Sequence, residues 1–264
     1  MKKGQTLKTP SGVEVVLFPM EYMNITQGIN GKYSHQGDMA LDLAGKDTGI
    51  DPIFMPCTMT CKWKDASIGG VLYESTSKVH MADGTEDYIH MLTLHDNKIS
   101  DLAMNKTFKQ GTETGDEGTA GKCTGNHVHL VFGLGKYKGG YPMKQNSYGK
   151  WVLPKQIDPR NVMHINETII KNDLNYKFKT YKEPFKSKGK VQAIENGIRI
   201  RKEPNLKTTS DTGVRFSKGE VVSYESVVQG DGWYFAKFKT AAGQYRYVAL
   251  CQVNHTNVYW KQFK

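Results

Sequence analysis

Apolar and polar residues alternate with a period of two through much of the first 165 positions, which predicts short half-buried strands rather than helices. The pattern is carried by residues 13–18, 40–44, 59–64, 71–75, 88–95 and 127–132. Glycine-rich spacers at 111–125 and 133–140 separate the runs and predict functional loops on a mainly antiparallel scaffold. From 166 to 190 the alternation dissolves into polar, lysine-rich sequence, read as a linker. Beyond it, runs beginning at Ile198, Glu220, Trp233 and Tyr245 alternate with turns such as Gln229-Gly-Asp-Gly. Short strands at that density predict a small β-barrel over 191–264. The fold class expected is all-β or β-rich, with a larger domain at 1–165 and the barrel after the linker.

Parity makes 127–132 the most informative run. On a strand His127, His129 and Val131 share one face, and Val128, Leu130 and Phe132 share the other. Two imidazoles then project side by side above an apolar backing. On a helix, positions i and i+2 would diverge by about 200°. The same test on Asp38-Met-Ala-Leu-Asp-Leu-Ala44 sets Ala40, Asp42 and Ala44 opposite Met39, Leu41 and Leu43. An aspartate between alanines in an otherwise apolar strand has a cost unless it is paired, hydrogen-bonded or bound to a cation.

With His35 just upstream of Asp42, two histidines and one carboxylate leave a fourth zinc position for water, as in catalytic rather than structural sites. Zinc lowers the pKa of such a water towards neutrality and polarises a carbonyl. A further group must then handle protons and the oxyanion. The spare histidine of the pair and a histidine on another strand are both candidates. On the run 88–95, His90 shares parity with Leu92 and Leu94, whereas His95 ends the strand at an Asp-Asn turn. His95 is preferred, with His90 as the alternative because strand edges can bulge. His80, His164 and His255 have no supporting context.

The chain has 264 residues, 38% hydrophobic and 23% charged, which excludes a disordered protein. No apolar run approaches the roughly 20 residues of a membrane-spanning helix, so membrane insertion is not expected. Lys2 and Lys3 are followed by no apolar segment, so no Sec-type leader is expected and synthesis is placed in a host cytoplasm. Residues 181–264 hold 15 Lys and Arg against 7 Asp and Glu, a net +8 of the chain's +10. That asymmetry points to a polyanionic partner for the tail: nucleic acid, a membrane surface or an anionic cell-wall polymer. Nucleic acid is disfavoured because the tail lacks arginine-rich or aromatic RNA-binding signatures. Cys57 and Cys61 form a C-x3-C pair without a second pair at zinc-ribbon spacing, and are read as structural.

Taken together, His35 with Asp42-Leu-Ala, then His95, then Gly115-x-x-Gly-Thr-Ala-Gly-x-x-Thr-Gly-Asn-His127-Val-His129 resemble the lysostaphin-type (LytM-like) zinc metallopeptidases over residues 24–132. The resemblance implies that His35, Asp42 and His129 bind Zn2+, and that His95 and His127 are catalytic. It implies a peptidoglycan peptide as substrate. The family commonly spaces its first ligands as H-x3-D, whereas His35 and Asp42 are spaced H-x6-D, which leaves Asp38 as an alternative ligand. That longer spacing resembles members encoded by phages of Gram-positive bacteria. Gly118, Gly121 and Gly125 would line a groove for a small-residue peptide.

The tail, with Ile198-Arg-Ile-Arg-Lys-Glu-Pro and Gly232-Trp-Tyr, resembles a bacterial SH3-like wall-binding module that would take anionic cell-wall polymers. The combination resembles phage endolysins. A virion-associated enzyme, a bacterial autolysin and an inactive wall-binding scaffold are the alternatives.

Overall fold

The computed structural model describes residues 1–46, 50–183, 185–253 and 258–262. His255 lies outside the described residues. The chain divides into two compact units, Met1–Leu7 with Glu14–Tyr181, and Lys8–Val13 with Lys182–Lys264. Their regular elements are almost wholly strands. The described helices are the four-residue Pro159–Val162 and a 3-10 turn at Thr208–Ser210. No helix among the described residues is long and apolar enough to cross a membrane.

A nine-stranded sheet dominates the first unit. Eight strands follow the order Ile169–Asn172, Tyr22–Gln27, Leu41–Leu43, Val128–Leu134, Ile89–Leu94, Gly70–Ser75, Met59–Asp65, Thr107–Phe108, and Gln156–Ile157 also pairs with Val128–Leu134. The pairs are antiparallel except that Ile169–Asn172 runs parallel to Tyr22–Gln27. Alternation divides the sheet into two faces. Leu41, Leu43, Met91, Val128, Leu130 and Phe132 enter the main core, which also takes Cys57 and Cys61. Ala40, Leu72, Leu92 and Val131 form a second cluster with Met143 and Leu153 on the other face. Asp42 and His129 therefore emerge on the face opposite the main core.

Three local expectations change. Residues 13–18 form no strand; Val15 and Leu17 make isolated parallel bridges to His80 and His164. Val15, Val16, Leu17 and Phe18 are all fully buried, so the segment has no solvent face with which to alternate. The neighbouring Tyr22–Gln27 is a strand that its polar composition hides, anchored by buried Met23 and Ile25. The third change concerns 166–181, which belong to the first unit and do not link. Ile169–Asn172 pairs with Tyr22–Gln27, Phe178 packs edge-on to Phe18, and Tyr181 exchanges hydrogen bonds with Asn166. Lysines between these anchors concealed them.

In the second unit, five strands run in the order Asp211–Phe216, Ile198–Arg201, Tyr245–Gln252, Trp233–Lys239, Ser226–Gly230. A three-stranded sheet, Val221–Tyr224, Gly189–Ala193, Trp260–Gln262, faces the same core. Trp260 is fully buried there and its indole N–H donates to Ala249 O at 2.9 Å.

Candidate metal centre

Antiparallel register brings the first two residues together. His129 pairs directly with Asp42 across adjacent strands, and directly opposed side chains start about 5 Å apart. His35 arrives from the turn before Leu41–Leu43, where its backbone N–H donates to Gly31 O. The three donor atoms make a nearly equilateral triangle. His35 Nε2 lies 3.1 Å from Asp42 Oδ1 and 3.2 Å from His129 Nδ1, and His129 Nδ1 lies 3.2 Å from Asp42 Oδ1. Ligands of a tetrahedral zinc at about 2.0–2.1 Å are about 3.3 Å apart, so the residues present fit that ion. Among the described residues these three are the one such group of possible metal ligands. Cys57 and Cys61 take no part.

Tautomers sharpen the fit. A carbonyl oxygen only accepts, so His35 Nδ1–H donates to Gly28 O at 2.9 Å, and the neutral ring turns the lone pair of Nε2 inward. Gln27 Nε2 donates to Asp42 Oδ2 at 2.9 Å, which leaves Oδ1 for the triangle. With His129 carrying its proton on Nε2, three electron-pair donors would converge with no hydrogen among them. A proton or a cation must fill that deficit. Burial alone would raise the Asp42 carboxyl, but hydrogen bonds and charge from His129 and His35 outweigh it and hold the group well below the usual carboxylate range. Burial pulls His35 down, and the bond to Asp42 more than reverses that.

His127 and His95 stand beside the triangle. His127 sits just before Val128–Leu134, in a bridge with Gly118, and its Nε2 is 3.8 Å from Asp42 Oδ1. The His95 ring centroid is 4.6 Å from that of His127 and 6.3 Å from that of His129. Both rings are held like His35. His95 Nδ1–H donates to Ala120 O and His127 Nδ1–H to Gly125 O, each at 2.8 Å, so both leave Nε2 as the free nitrogen. Burial, the largest influence, lowers the His95 imidazole to about 4, which keeps it neutral near pH 7.

Strand parity alone would send His95 to the main core beside Met91. Its φ of 83° breaks the alternation and turns the ring to the site. The corner needs two glycines. A Cβ on Gly69 would fall 2.3 Å from Asp96 O, and one on Gly118 2.3 Å from His95 O. Gly118 therefore seats the His95 corner, whereas a Cβ on Gly125 would meet nothing within 4 Å.

The alternatives named from sequence fall elsewhere. His90 pairs with Gly133, four residues along the strand from His129, roughly 13 Å at the usual rise. Its Nδ1–H donates to Gly135 O at 2.9 Å. Asp38 lies on the far side of the His129 ring, with Oδ2 3.6 Å from Nε2 and Oδ1 accepting from Gln156 Nε2 at 2.6 Å. It is 2% exposed and faces the nitrogen that Asp42 does not. His80 and His164 are buried as a stacked pair against Tyr181. Sequence reasoning missed Gln27 and Gln156 because an amide carries no spacing signature. Only the register Gln27↔Asp42, reached through a bulge, reveals the first.

Residues 186–250 match the bacterial SH3 domain family. The chain is 33% identical over 178 residues to morphogenesis protein 1 of Bacillus phage B103, covering 67% of this chain and 47% of the relative. It thus spans about half the length of that curated relative. Among solved structures it is similar to a zinc-containing peptidase from Vibrio cholerae, with 17% identity, 49% of this chain and 43% of that one covered, and a TM-score of 0.35. It is also similar to the antimicrobial peptidase lysostaphin from Staphylococcus simulans, with 12% identity, 93% and 97% covered, and a TM-score of 0.30.

Proposed function

We propose that this chain is a zinc-dependent endopeptidase of the lysostaphin type that hydrolyses peptide cross-links of bacterial peptidoglycan, carried to the wall by its bacterial SH3 domain. The observation that carries the reading is the His35–Asp42–His129 triangle with two tautomer-locked histidines at its side. In this reading His35 Nε2, Asp42 Oδ1 and His129 Nδ1 hold the ion. Bound there, zinc supplies a Lewis acid and a water of near-neutral pKa. His95 and His127 supply proton acceptors. Each has Nδ1 tied to a carbonyl, so each can take a proton at Nε2 and, once protonated, donate from the same atom to the substrate oxygen or the leaving amine. Asp38 Oδ2, 3.6 Å from His129 Nε2, sets a carboxylate beside that nitrogen, which favours a proton there and Nδ1 as the donor to the ion.

Zinc content and turnover of purified variants test the assignment. Asp42→Ala should lose bound zinc and activity together, and Asp38→Asn should weaken zinc binding about 10- to 100-fold. Full zinc and full activity in Asp42→Ala would reject the ligand set. The likeness to a phage morphogenesis protein favours a second reading of the role, in which the same hydrolase is borne on a phage particle instead of acting as an endolysin. Co-sedimentation of the chain with purified particles supports it, and a chain confined to the soluble lysate supports the lysis role.

A further inference from the structure

A buried cation in the second unit has no carboxylate at ion-pairing distance among the described residues. Arg201 ends the strand Ile198–Arg201, is 5% exposed, and lines a cavity of about 460 Å³ together with Arg199. Among the described residues its hydrogen bonds reduce to one long contact, Nη1 to Lys207 O at 3.4 Å, and no carboxylate is at ion-pairing distance. The nearest strand neighbour, Asp211, is engaged by Arg215 at 2.7 Å. A guanidinium presents five donors in a planar fork, and burying it unpaired is unfavourable. Burial and the charge of Arg199 both work against its protonated form.

The cavity is held open by its own loop. Leu206 N donates to Asp231 Oδ2 at 2.8 Å, and Ser210 Oγ donates to Glu203 O at 2.9 Å. Gly230 has no Cβ because the carbonyl of Pro204 would lie 1.8 Å from it. One wall is apolar: the Trp233 and Tyr259 rings stack with centroids 5.5 Å apart and planes 9° apart.

We propose that this cavity binds the free carboxylate of a short peptide, with the Arg201 fork as its anchor and the Trp233–Tyr259 wall against the terminal side chain. The inference rests on the wall-binding reading and deepens it by naming the ligand class. Fork and carboxylate match in a bidentate pair. A peptide end is favoured over a phosphate polymer because Glu195 lines the same cavity and would repel a polyanion, while leaving a single carboxylate beside two arginines in balance.

The test titrates the full chain with N-acetyl-alanyl-alanine, its C-terminal amide and glycerol phosphate, following arginine Nε–H and tryptophan indole resonances by NMR. The acid should give saturable shifts, the amide should bind at least tenfold more weakly, and Arg201→Lys, which keeps charge but loses the fork, should weaken the acid at least tenfold. Should Arg201→Lys fail to fold, Arg199→Gln on the exposed rim replaces it, with a smaller loss expected. Equal binding of acid and amide, tighter binding of glycerol phosphate, or an unchanged Arg201→Lys would overturn the proposal. A wild-type chain that pellets with cell walls yet ignores the acid overturns the cavity assignment alone. Acid binding without wall pelleting sustains the cavity and contradicts the wall-binding reading.

Discussion

His95 reaches the site only because its backbone leaves the strand, and that one dihedral decides which histidine of two can act. With φ at 83° the ring meets His127, whereas His90, on a regular strand, covers Gly133 and donates to Gly135 O. Removing a positioned proton-transfer group typically costs about 100- to 10,000-fold in rate, while truncating a packed side chain lowers stability. His95→Ala and His127→Ala should therefore keep bound zinc and the melting temperature while losing most turnover. His90→Ala should lower the melting temperature and spare kcat, and an active, well-folded His95→Ala protein would refute the division. At this scale the sequence is legible wherever strand parity governs: the facing of Asp42 and His129 follows from it. It is illegible where parity is broken, as at His95, or where a partner comes through a register bulge, as Gln27 does.

Elements follow the same logic at longer range. Alternating runs at 59–64, 71–75 and 88–95 become neighbouring strands because each has one face to bury and one to share. Residues 15–18 are fully buried, and pairing there is confined to bridges that alternation does not forecast. The segment 166–181 shows how composition misleads. It is rich in lysine, yet Lys179 Nζ donates to Ala82 O at 2.9 Å, Tyr176 OH accepts from Ile29 N–H at 3.1 Å, and Phe178 and Tyr181 pack within the first unit. Deleting a buried aromatic side chain costs about 3–5 kcal/mol. A first unit ending at residue 165 should consequently unfold at a markedly lower temperature than one ending at residue 181. Equal melting temperatures by calorimetry would return 166–181 to the role of a linker.

For the molecule as a whole, the uneven charge falls on a structural division. The net +8 from residue 181 onward belongs almost entirely to the unit that matches the bacterial SH3 domain family, and the candidate metal centre belongs to the other. In the proposed function, chemistry and targeting thereby fall to separate folded units of one chain. The all-β class of both was legible because short alternating runs and glycine-rich turns recur from end to end. The proposed cavity of the second unit was not, since the burial of Arg201, away from any ion-pairing carboxylate among the described residues, leaves no mark in the sequence. Metal-dependent cleavage of wall peptides by the triangle and its two histidines is tested by mass spectrometry of purified peptidoglycan digested with the zinc-loaded chain. Fragments with one new class of amino terminus within the cross-linking peptides are expected, absent after chelation and absent with His129→Ala. Fragments that arise only at glycosidic bonds, or new amino termini that persist with the metal removed, would contradict it.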